Sequence, residues 1–563
     1  MKKFTFIVII TLFSCSYAIS QQWLWTKSFG SSKNDKGLKF CSDSEENLFV
    51  TGYFADTLFI ESDTFISKGG NSDIFIMKFD SSGKYIWGNS GGGLKNDAGL
   101  GIDVDKDGNV YIAGYIQSSV SFDNITLNSL NGKDIVLLKY NTNGKCVWAK
   151  TVVGSGDDYA YGIAVNKKSI YVVGEFASEI NFGSGYLLRT ISNNTDMFEA
   201  RYDTGGNFIS AHQSVSVCSD YFSGVFSDKE GNIYFTGKTQ GTEFMGCFIG
   251  AYNPSYPDLD ESCFIAKYDS LENCLWTKSF TSNSWSGTTS ASIDVQGNVY
   301  VTGYFIDTLI INNIIIPSLG EKDVATLKFD SNGNLIWIKC GGGGELSSVP
   351  FENQYFWGDI ANSISVNKNG DTFITGFFNS SAKFGTFNLA TTQYFADMFI
   401  VSYDATGKEL WATSEEIKDH HGAGKDIIAK HDNVIYVLGY FEGEATFGNK
   451  VVKSKGSLDF FISKIKYDMK NNVINEDFNS NVNNLKVYPN PTDKSLIFSL
   501  NQPIDFPLEV KIFDVTGKVI SEANDINKNI FVFNTEYFTK GLYFYKLYNN
   551  RKKAIGTGKF FIQ

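Results

Sequence analysis

The chain has 563 residues, a formal net charge of −12, 54 glycines and an aromatic content of 15%. This composition supplies enough apolar material for a large core in more than one domain. The negative charge, with arginine present only as Arg189, Arg201 and Arg551, disfavours nucleic acid and anionic lipid surfaces as partners.

Residues 1–20, MKKFTFIVIITLFSCSYAIS, are typical of a secretory signal peptide, because two lysines precede an apolar stretch and small residues follow it. We place cleavage after Ser20 or Ala18, and a lipoprotein signal at Cys15 is the alternative. No later apolar run reaches the length of a membrane helix, so no transmembrane segment is predicted. The sequence therefore predicts that the mature protein is exported.

A strand-like phrase with a central glycine recurs seven times. The copies are LFVTGYF (48–54), VYIAGYI (110–116), IYVVGEF (170–176), IYFTGKT (233–239), VYVTGYF (299–305), TFITGFF (372–378) and IYVLGYF (435–441). A second phrase of the type DIFIMKFD follows each copy, and a third phrase, a turn usually followed by Trp, follows in all but the last. Each unit therefore predicts four antiparallel strands, A to D, joined by Asx-Gly hairpins. Seven such units predict an all-β, seven-bladed β-propeller over residues 21–468.

The N-terminal segment supplies the strand that the last unit lacks. That unit stops at Asp468 without the third phrase, whereas QQWLWTKSFG (21–30) matches it, with Trp25 in the Trp position. We predict that this strand completes the seventh sheet and closes the ring, which removes exposed sheet edges. The repeated glycine is expected where adjacent sheets approach closely.

These phrases resemble the short β-propeller repeats of many bacterial surface proteins, over about residues 23–468. The resemblance implies the architecture. It implies no particular activity, because propellers host enzymes, lectins and scaffolds alike.

One unit carries a calcium-like motif. Asp103, Asp105 and Asp107 have the spacing of the start of a calcium-binding loop, but the twelfth position is Gly114 instead of Glu. The other units do not repeat the triplet, so an acidic hairpin is favoured over a bound ion. The sequence predicts no metal site, no cofactor and no catalytic motif.

Two large insertions indicate the binding face. Connections B–C and D–A emerge on one face of the predicted ring, and that face holds both insertions, 245–262 and 341–359. Long loops on a rigid scaffold often bind ligands, and aromatic side chains suit sugars or peptides. The predicted ligand-binding residues are Tyr252, Tyr256, Asp258, Asp260, Phe351, Tyr355, Trp357 and Asp359. The alternative is that these aromatics only pack the loops down.

Seven cysteines remain once Cys15 leaves with the signal peptide, and an odd number cannot all pair within one chain. Four of them lie in the fourth unit, and an oxidising exterior permits disulfides. We predict a Cys247–Cys263 disulfide that ties off the inserted loop, with buried free thiols as the alternative.

The repeat pattern ends after Asp468. Residues 469–484 form an Asn-rich linker, and residues 485–563 alternate strands with turns. The second segment predicts a small, Ig-like antiparallel β-sandwich of about seven strands.

Four motifs in residues 485–563 resemble the C-terminal sorting domain, type A, of the Por or type IX secretion system. They are the opening V-Y-P-N-P, the D-x-x-G-K turn, the phrase around Gly541 and the terminal G-K strand. The residues that carry the resemblance are Tyr488, Pro489, Asn490, Pro491, Asp514, Gly517, Gly541, Tyr543, Gly558 and Lys559. Phe538 stands where the family usually has Leu. The resemblance implies export to the periplasm by the signal peptide, then passage through the outer membrane with type IX machinery as a partner. The protein is then released or attached to the outer cell surface of a Gram-negative bacterium.

Three functions are consistent with these observations. The favoured one is a secreted or surface-attached, non-catalytic binding or adhesion protein for a glycan or a protein. A propeller-type glycosidase or polysaccharide lyase is the enzyme alternative, since carboxylates such as Asp258 and Asp359 could act as a catalytic pair. The third is a structural component of a surface layer.

Overall fold

The computed structural model describes residues 20–468 and 485–562, except for short stretches within them. The stretches left out are 70–71, 131, 184, 191–193, 215–219, 240–242, 250–261, 283–285, 344–357, 392–394, 416, 419, 432, 489–491, 493, 501–506, 515–517 and 551–553. Every regular element of the described residues is a β-strand, as the sequence predicts. Among these residues there is no helix that is long and apolar enough to cross a membrane. The chain forms two compact units: the repeat domain, Ala18–Met469, and a C-terminal domain that spans Lys470–Gln563.

The predicted repeat units appear as antiparallel sheets in which four strands pair in the order A-B-C-D. The strands up to the end of unit 3 are β1 (Ser20–Phe29), β2 (Lys36–Ser42), β3 (Leu48–Ala55), β4 (Thr57–Ile60), β5 (Asp63–Ile66), β6 (Ser72–Phe79), β7 (Tyr85–Gly93), β8 (Ala98–Val104), β9 (Val110–Ile116), β10 (Ser119–Phe122), β11 (Ile125–Asn128), β12 (Asp134–Tyr140), β13 (Cys146–Gly154), β14 (Tyr159–Asn166), β15 (Ser169–Ala177), β16 (Glu179–Gly183), β17 (Tyr186–Arg189), β18 (Thr195–Asp203) and β19 (Phe208–Gln213).

Units 4 to 7 continue in the same way. Their strands are β20 (Tyr221–Ser227), β21 (Ile233–Thr239), β22 (Glu243–Phe244), β23 (Cys247–Phe248), β24 (Ser262–Tyr268), β25 (Cys274–Ser282), β26 (Ser286–Ile293), β27 (Val299–Ile311), β28 (Ile314–Phe329), β29 (Leu335–Gly342), β30 (Ile360–Val366), β31 (Thr372–Asn379), β32 (Ser381–Phe384), β33 (Phe387–Ala390), β34 (Ala396–Tyr403), β35 (Glu409–Ser414), β36 (Ile417–Lys418), β37 (Gly422–Ala429), β38 (Val434–Phe447) and β39 (Lys450–Asp468). The strands A are β2, β8, β14, β20, β26, β30 and β37.

The fourth strand of unit 7 comes from the N-terminus. Strand β1 pairs antiparallel with β39, and Thr26 Oγ1 lies 2.9 Å from Ser463 Oγ. The ring of Phe29 lies 5.3 Å from those of Phe79 in unit 1 and Phe460 in unit 7. The predicted pairing of the N-terminal strand with the last unit is therefore present.

Hydrophobic clusters fill the spaces between consecutive units. Phe49 of unit 1 packs in one cluster with Tyr140 of unit 2, and the pattern repeats along the chain. A further cluster joins unit 7 to unit 1, where the rings of Phe460 and Phe75 stack 5.0 Å apart. Successive strands A also contact each other, and β37 contacts β2. Each sheet thus buries both faces against neighbours.

A short hairpin in every B–C connection is not predicted by the sequence analysis. In unit 2 it consists of β10 and β11, and β10 also pairs with β7, which is strand D of unit 1. Equivalent pairings join β16 to β13 and β32 to β29. In units 2, 3 and 6 the hairpin therefore links a sheet to the one before it through main-chain hydrogen bonds.

The repeated glycine is explained by a β-bulge. Every strand A carries a bulge opposite this glycine. In each unit, the atom nearest to a Cβ built on the glycine is a main-chain carbonyl oxygen of strand A, such as that of Gly287 for Gly303. The expectation of close contact between adjacent sheets is therefore wrong, because the contact lies within one sheet.

The C-terminal domain has two antiparallel sheets around one core. Its strands are β40 (Leu485–Tyr488), β41 (Ser495–Leu500), β42 (Leu508–Phe513), β43 (Val519–Ile526), β44 (Ile530–Asn534), β45 (Gly541–Tyr548) and β46 (Ala554–Ile562). One sheet has the order β40-β41-β44 and the other β43-β42-β45-β46. Phe498, Tyr545 and Phe560 belong to the shared core.

Candidate functional site

A cavity of about 550 Å³ lies against the strands A of all repeat units. The residue at each β-bulge lines it, and we call it the bulge cavity. The bulge residues are Leu38, Leu100, Tyr161, Ser223, Thr289, Asn362 and Lys425. A bulge leaves one residue out of the ladder and redirects its side chain. The same irregularity in each unit therefore delivers side chains to one shared space.

Three polar bulge residues are held by hydrogen bonds. Asn362 Nδ2 donates to the carbonyl oxygen of Gly424 at 2.8 Å, and Thr289 Oγ1 donates to the carbonyl oxygen of Thr302 at 3.2 Å. Ser223 Oγ donates to a threonine hydroxyl at 2.9 Å. Each of these donations leaves an oxygen lone pair available to accept a hydrogen bond.

Tyr161 and Glu175 form the acidic part of the lining. The Tyr161 hydroxyl donates to Glu175 Oε1 at 2.5 Å. Burial raises the pKa of Glu175, and the hydrogen bond from Tyr161 opposes that change. Tyr221 adds a second aromatic ring to the lining.

Lys425 and Lys39 form the basic part. Lys39 Nζ lies 3.5 Å from Asp426 Oδ1, whereas the Lys425 ammonium has no hydrogen bond or ion pair within the described residues. Burial lowers the pKa of Lys425 to about 8, and the neighbouring charge of Lys39 adds to the effect. These cavity residues are not predicted from the sequence. Their positions could have been found from the repeat, because each bulge residue directly follows the strand-A residue that pairs with the repeated glycine.

The calcium-like motif lies beside a second cavity of about 480 Å³, which Asp103 lines. The Asp103 carboxylate accepts hydrogen bonds from the main-chain N–H groups of Val104 at 2.8 Å and Val165 at 2.7 Å. Asp105 accepts one from Asp107 at 3.0 Å within its own hairpin. These carboxylates therefore stabilise a turn and its contact with the next unit. In the described part of the chain, no group of three His, Cys, Asp or Glu side chains is arranged to hold a metal ion.

Most predicted ligand-binding residues lie outside the described residues. These are Tyr252, Tyr256, Asp258, Asp260, Phe351, Tyr355 and Trp357. Asp359 is described, and it is buried, with 1% of its surface exposed. Its Oδ1 accepts a hydrogen bond from the main-chain N–H of Asn379 at 3.0 Å. Asp359 is therefore a residue of the junction between two units and not of an exposed loop.

Asp359 belongs to a series of buried carboxylate pairs at unit junctions. One member lies on strand C of a unit, two residues before the partner of the repeated glycine, and the other precedes strand A of the next unit. The pairs are Asp459 with Asp35, Asp73 with Asp97, Asp134 with Asp158, Asp196 with Asp220, and Asp323 with Asp359. A Cβ built on Gly92 would stand 2.6 Å from Asp73 Oδ1 and 2.8 Å from Asp97 Oδ2, so the two carboxyl groups of that pair face one small space.

Burial is the main cause of the raised pKa values in these pairs, and repulsion by the partner carboxylate adds to it. The pKa of Asp97 rises to about 7, and those of Asp158 and Asp359 rise to about 8. At the junction of units 4 and 5, serines stand at both positions, Ser262 and Ser286. Both carboxylates of the pair are therefore replaced by serine at this junction.

The predicted Cys247–Cys263 disulfide is wrong. Cys247 is bonded to Cys274, with their Cα atoms 5.7 Å apart, and Cys263 is a buried free thiol. Cys247 packs in the cluster between units 3 and 4, whereas Cys263 packs in the cluster between units 4 and 5. Cys247, in the β22–β23 hairpin, therefore packs on one side of the unit 4 sheet and Cys263 on the other, which keeps the two thiols apart.

The sorting motif residues in the described part of the C-terminal domain have structural partners. Asp514 Oδ1 accepts a hydrogen bond from the Lys518 N–H at 3.1 Å. The Tyr543 hydroxyl donates to the carbonyl oxygen of Thr539 at 2.7 Å. These two residues stabilise the turns at the ends of their strands.

The remaining motif residues are two strand glycines, two exposed side chains and four residues outside the described part of the chain. A Cβ on Gly558 would stand 2.6 Å from the ring of Tyr545, so a side chain there would displace the ring. Gly541 has a φ of +152° at the start of β45. Tyr488 and Lys559 are exposed. Pro489, Asn490, Pro491 and Gly517 lie outside the described residues.

Residues 486–563 match the family of the secretion system C-terminal sorting domain. This match confirms the resemblance drawn from the motifs. The sorting domain implies export by the type IX secretion system to the cell surface or beyond.

Two curated proteins match parts of the chain. An uncharacterised WD repeat-containing protein of Acanthamoeba polyphaga mimivirus is 22% identical over 328 residues, which are 47% of this chain and 24% of that protein. The regulatory protein FlaEY of Caulobacter vibrioides is 27% identical over 143 residues, 24% of this chain and 15% of that protein. The chain thus spans a quarter or less of the length of these relatives.

Solved structures give distant likenesses. PorZ, a surface component of the type IX secretion system of Porphyromonas gingivalis, is 10% identical with a TM-score of 0.22, covering 96% of this chain and 100% of that one. A DUF4221 family member from Bacteroides vulgatus is 9% identical with a TM-score of 0.26, covering 80% and 99%. A copper-containing fungal alcohol oxidase of the AA5 family is 10% identical with a TM-score of 0.35, covering 96% and 99%. At these values the likenesses assign no function.

Proposed function

We propose that the protein is a type IX-exported surface or secreted protein whose repeat domain is a seven-bladed β-propeller that binds a glycan or a protein without catalysis. An N-terminal signal peptide carries it into the periplasm, and residues 485–563 direct its export from there by the type IX secretion system. The match to the sorting domain supports the route. The bulge cavity is the single observation that supports the binding role, because one side chain from each unit lines it.

The propeller architecture rests on contacts between units. Consecutive sheets share hydrophobic clusters, and one such cluster joins unit 7 to unit 1. Strand β37 contacts β2, and β1 completes the sheet of unit 7 by pairing with β39. A ring leaves neither face of any sheet without a neighbour, which is how radial repeats protect their short edges.

Binding is favoured over catalysis by the position of Asp359. The enzyme alternative used this carboxylate as one of a catalytic pair, but its side chain is buried and holds the main-chain N–H of Asn379. The insertion aromatics, with Tyr256 and Trp357 as the first to test, lie outside the described residues and stay proposed contacts.

Export is tested by removing the sorting domain. Full-length protein and a variant truncated before residue 485 are expressed in a host that has a type IX system, and cell surface, medium and periplasm are compared. We expect the truncated variant to accumulate in the periplasm. A reporter fused to residues 485–563 is the matched control and should leave the cell. Normal surface display of the truncated variant would contradict the proposed route.

The binding role is tested with purified protein on immobilised polysaccharides and surface proteins. Retention and product release are measured together. Retention without product supports a binding module. Release of reducing sugar or unsaturated product would make the protein an enzyme.

A further inference from the structure

Resting on the proposed binding role, we propose that the bulge cavity takes an acidic saccharide, a sugar that carries a carboxylate, and that Lys425 is its charge partner. The cavity volume of about 550 Å³ falls within the roughly 300–1,000 Å³ typical of small-molecule sites.

Lys425 offers a cation that forms no ion pair in the described part of the protein, although Asp426 lies near enough to favour its charged form. Its ammonium has no hydrogen bond or ion pair there. The adjacent carboxylate of Asp426 is already engaged, because it accepts from Ser363 Oγ at 2.5 Å, from the Phe40 N–H at 3.2 Å and faces Lys39 Nζ. Lys425 is half-buried, and an ammonium without a partner in a partly desolvated site is costly, so an anion that enters the cavity gains a charge-assisted hydrogen bond.

The surrounding charges make this part of the cavity attractive to an anion. Lys39 also lines the cavity, and Lys36 lies close enough to oppose the charge on Lys425. A cluster of like charges with low-dielectric walls focuses its field on a ligand of opposite sign. The cavity lining contains no arginine among the described residues. Its cations are therefore lysine ammonium groups, which act as point charges and suit a single carboxylate.

The rest of the lining suits the hydroxyl groups of a sugar. Asn362, Thr289 and Ser223 each donate one hydrogen bond to the protein and keep an acceptor oxygen for a ligand hydroxyl. Glu175 is held in place by Tyr161 and keeps its second carboxylate oxygen as a further acceptor. Several acceptors beside one ammonium match a sugar unit that carries one carboxylate and several hydroxyl groups.

The test compares two ligands and three variants. Binding of tri-galacturonate and of its fully methyl-esterified form to purified protein is measured by isothermal titration calorimetry. The two ligands share the same sugar chain and differ only at the carboxyl groups, which are charged in the acid and neutral methyl esters in the other form. The variants are K425Q, K425R and K106Q, the last of which removes the same charge from an exposed hairpin residue. Circular dichroism and thermal unfolding establish that each variant is folded.

We expect the acid to bind at least about tenfold more tightly than the ester, since a charged hydrogen bond made in a desolvated site is worth more than 1.4 kcal/mol. K425Q should lose that preference, K425R should keep part of it and K106Q should retain it fully. Equal binding of acid and ester, or an unchanged preference in folded K425Q, would overturn the assignment. So would displacement of tri-galacturonate by an equimolar amount of inorganic phosphate, which would show a general anion site. Tight binding of neutral glycans with no acid preference would refute the inference while leaving the binding function intact.

Discussion

At the scale of residues, the repeated Trp and the repeated turn glycine act on each other across unit boundaries. Trp87 Nε1 donates to the carbonyl oxygen of Thr142 in the next unit at 2.9 Å. A Cβ on Gly144 would stand 2.6 Å from the same indole ring. Trp148 and Gly206 repeat the arrangement one unit later. The sequence shows both residues as recurring but does not show that they touch, because they lie in different units.

The buried carboxylate pairs predict a pH dependence of stability. Asp97, Asp158 and Asp359 have folded pKa values of about 7 to 8, raised above the ordinary 3.8. The folded state therefore holds more protons than the unfolded state between pH 4 and pH 8. The stabilisation from these pairs should be fully present near pH 4 and be lost as the pH rises to about 8, by about 1 to 3 kcal/mol for each pair. Thermal unfolding at a series of pH values between 4 and 8 measures this change in stability.

The variant D158N tests which groups are responsible. An amide at this position does not titrate, so the fall in melting temperature between pH 5 and pH 8 should be smaller than in the unmodified protein. D107N, at an exposed turn residue, is the control and should leave the slope unchanged. A D158N slope equal to that of the unmodified protein would rule out the buried pair as the source.

At the scale of elements, the β-bulge links the fold to the candidate site. It places a carbonyl oxygen of strand A over the repeated glycine, and it directs the next side chain into the bulge cavity. The glycine is therefore required by the same local geometry that builds the cavity lining. A substitution that disturbs one should disturb the other.

The variant G303A tests this link. An added methyl group would meet the carbonyl oxygen of Gly287, which belongs to the backbone and cannot move aside freely. We expect the free energy of unfolding to fall by about 1 to 3 kcal/mol, measured by denaturant unfolding. G205A is the matched control, because Gly205 is exposed and its nearest neighbour is the flexible side chain of Asp203 at 3.1 Å. Equal stability of G303A and the unmodified protein would contradict the bulge argument.

The sequence predicts the repeated elements well and the irregular ones poorly. Strands B and C are long and rich in β-branched and aromatic residues, so they are visible in one sequence. The B–C hairpins have strands as short as Glu243–Phe244, which give no periodic signal. The bulge residues range from Leu38 to Lys425, so their position repeats but their chemistry does not. The disulfide partner of Cys247 depends on which face of a sheet each side chain occupies.

At the scale of the whole molecule, the pairing of β1 with β39 joins the two ends of the repeat domain. Thr26 and Ser463 oppose each other although 437 positions separate them in the chain. Phe29 is buried between units 1 and 7. This strand therefore stabilises two units at once.

Deletion of residues 21–30 should expose the edge of β39 and the apolar surface that Phe29 covers. We expect the variant to aggregate and to melt at a lower temperature, because an unpaired sheet edge is a template for association. Size-exclusion chromatography and calorimetry measure both effects. A monomeric variant with unchanged melting would contradict the role of this strand.

A cross-link tests the same pairing without removing residues. In the variant T26C/S463C the two thiols should form a disulfide on oxidation and raise the melting temperature, because their side chains already meet. K27C/S463C is the mismatched control, since the partner of Lys27 is Ile462. Cross-linking at equal rates in both variants would argue against the observed register.

The same pairing sets an order of events during export. If the N-terminal end emerges first, β1 must wait until the last unit has followed before it finds its partner. A contact between such distant segments forms late, because loop closure over a long chain is costly before other contacts support it. The repeat domain therefore cannot complete its structure before its last unit has crossed the membrane. The pairing of β1 with β39 is then the last step of its folding.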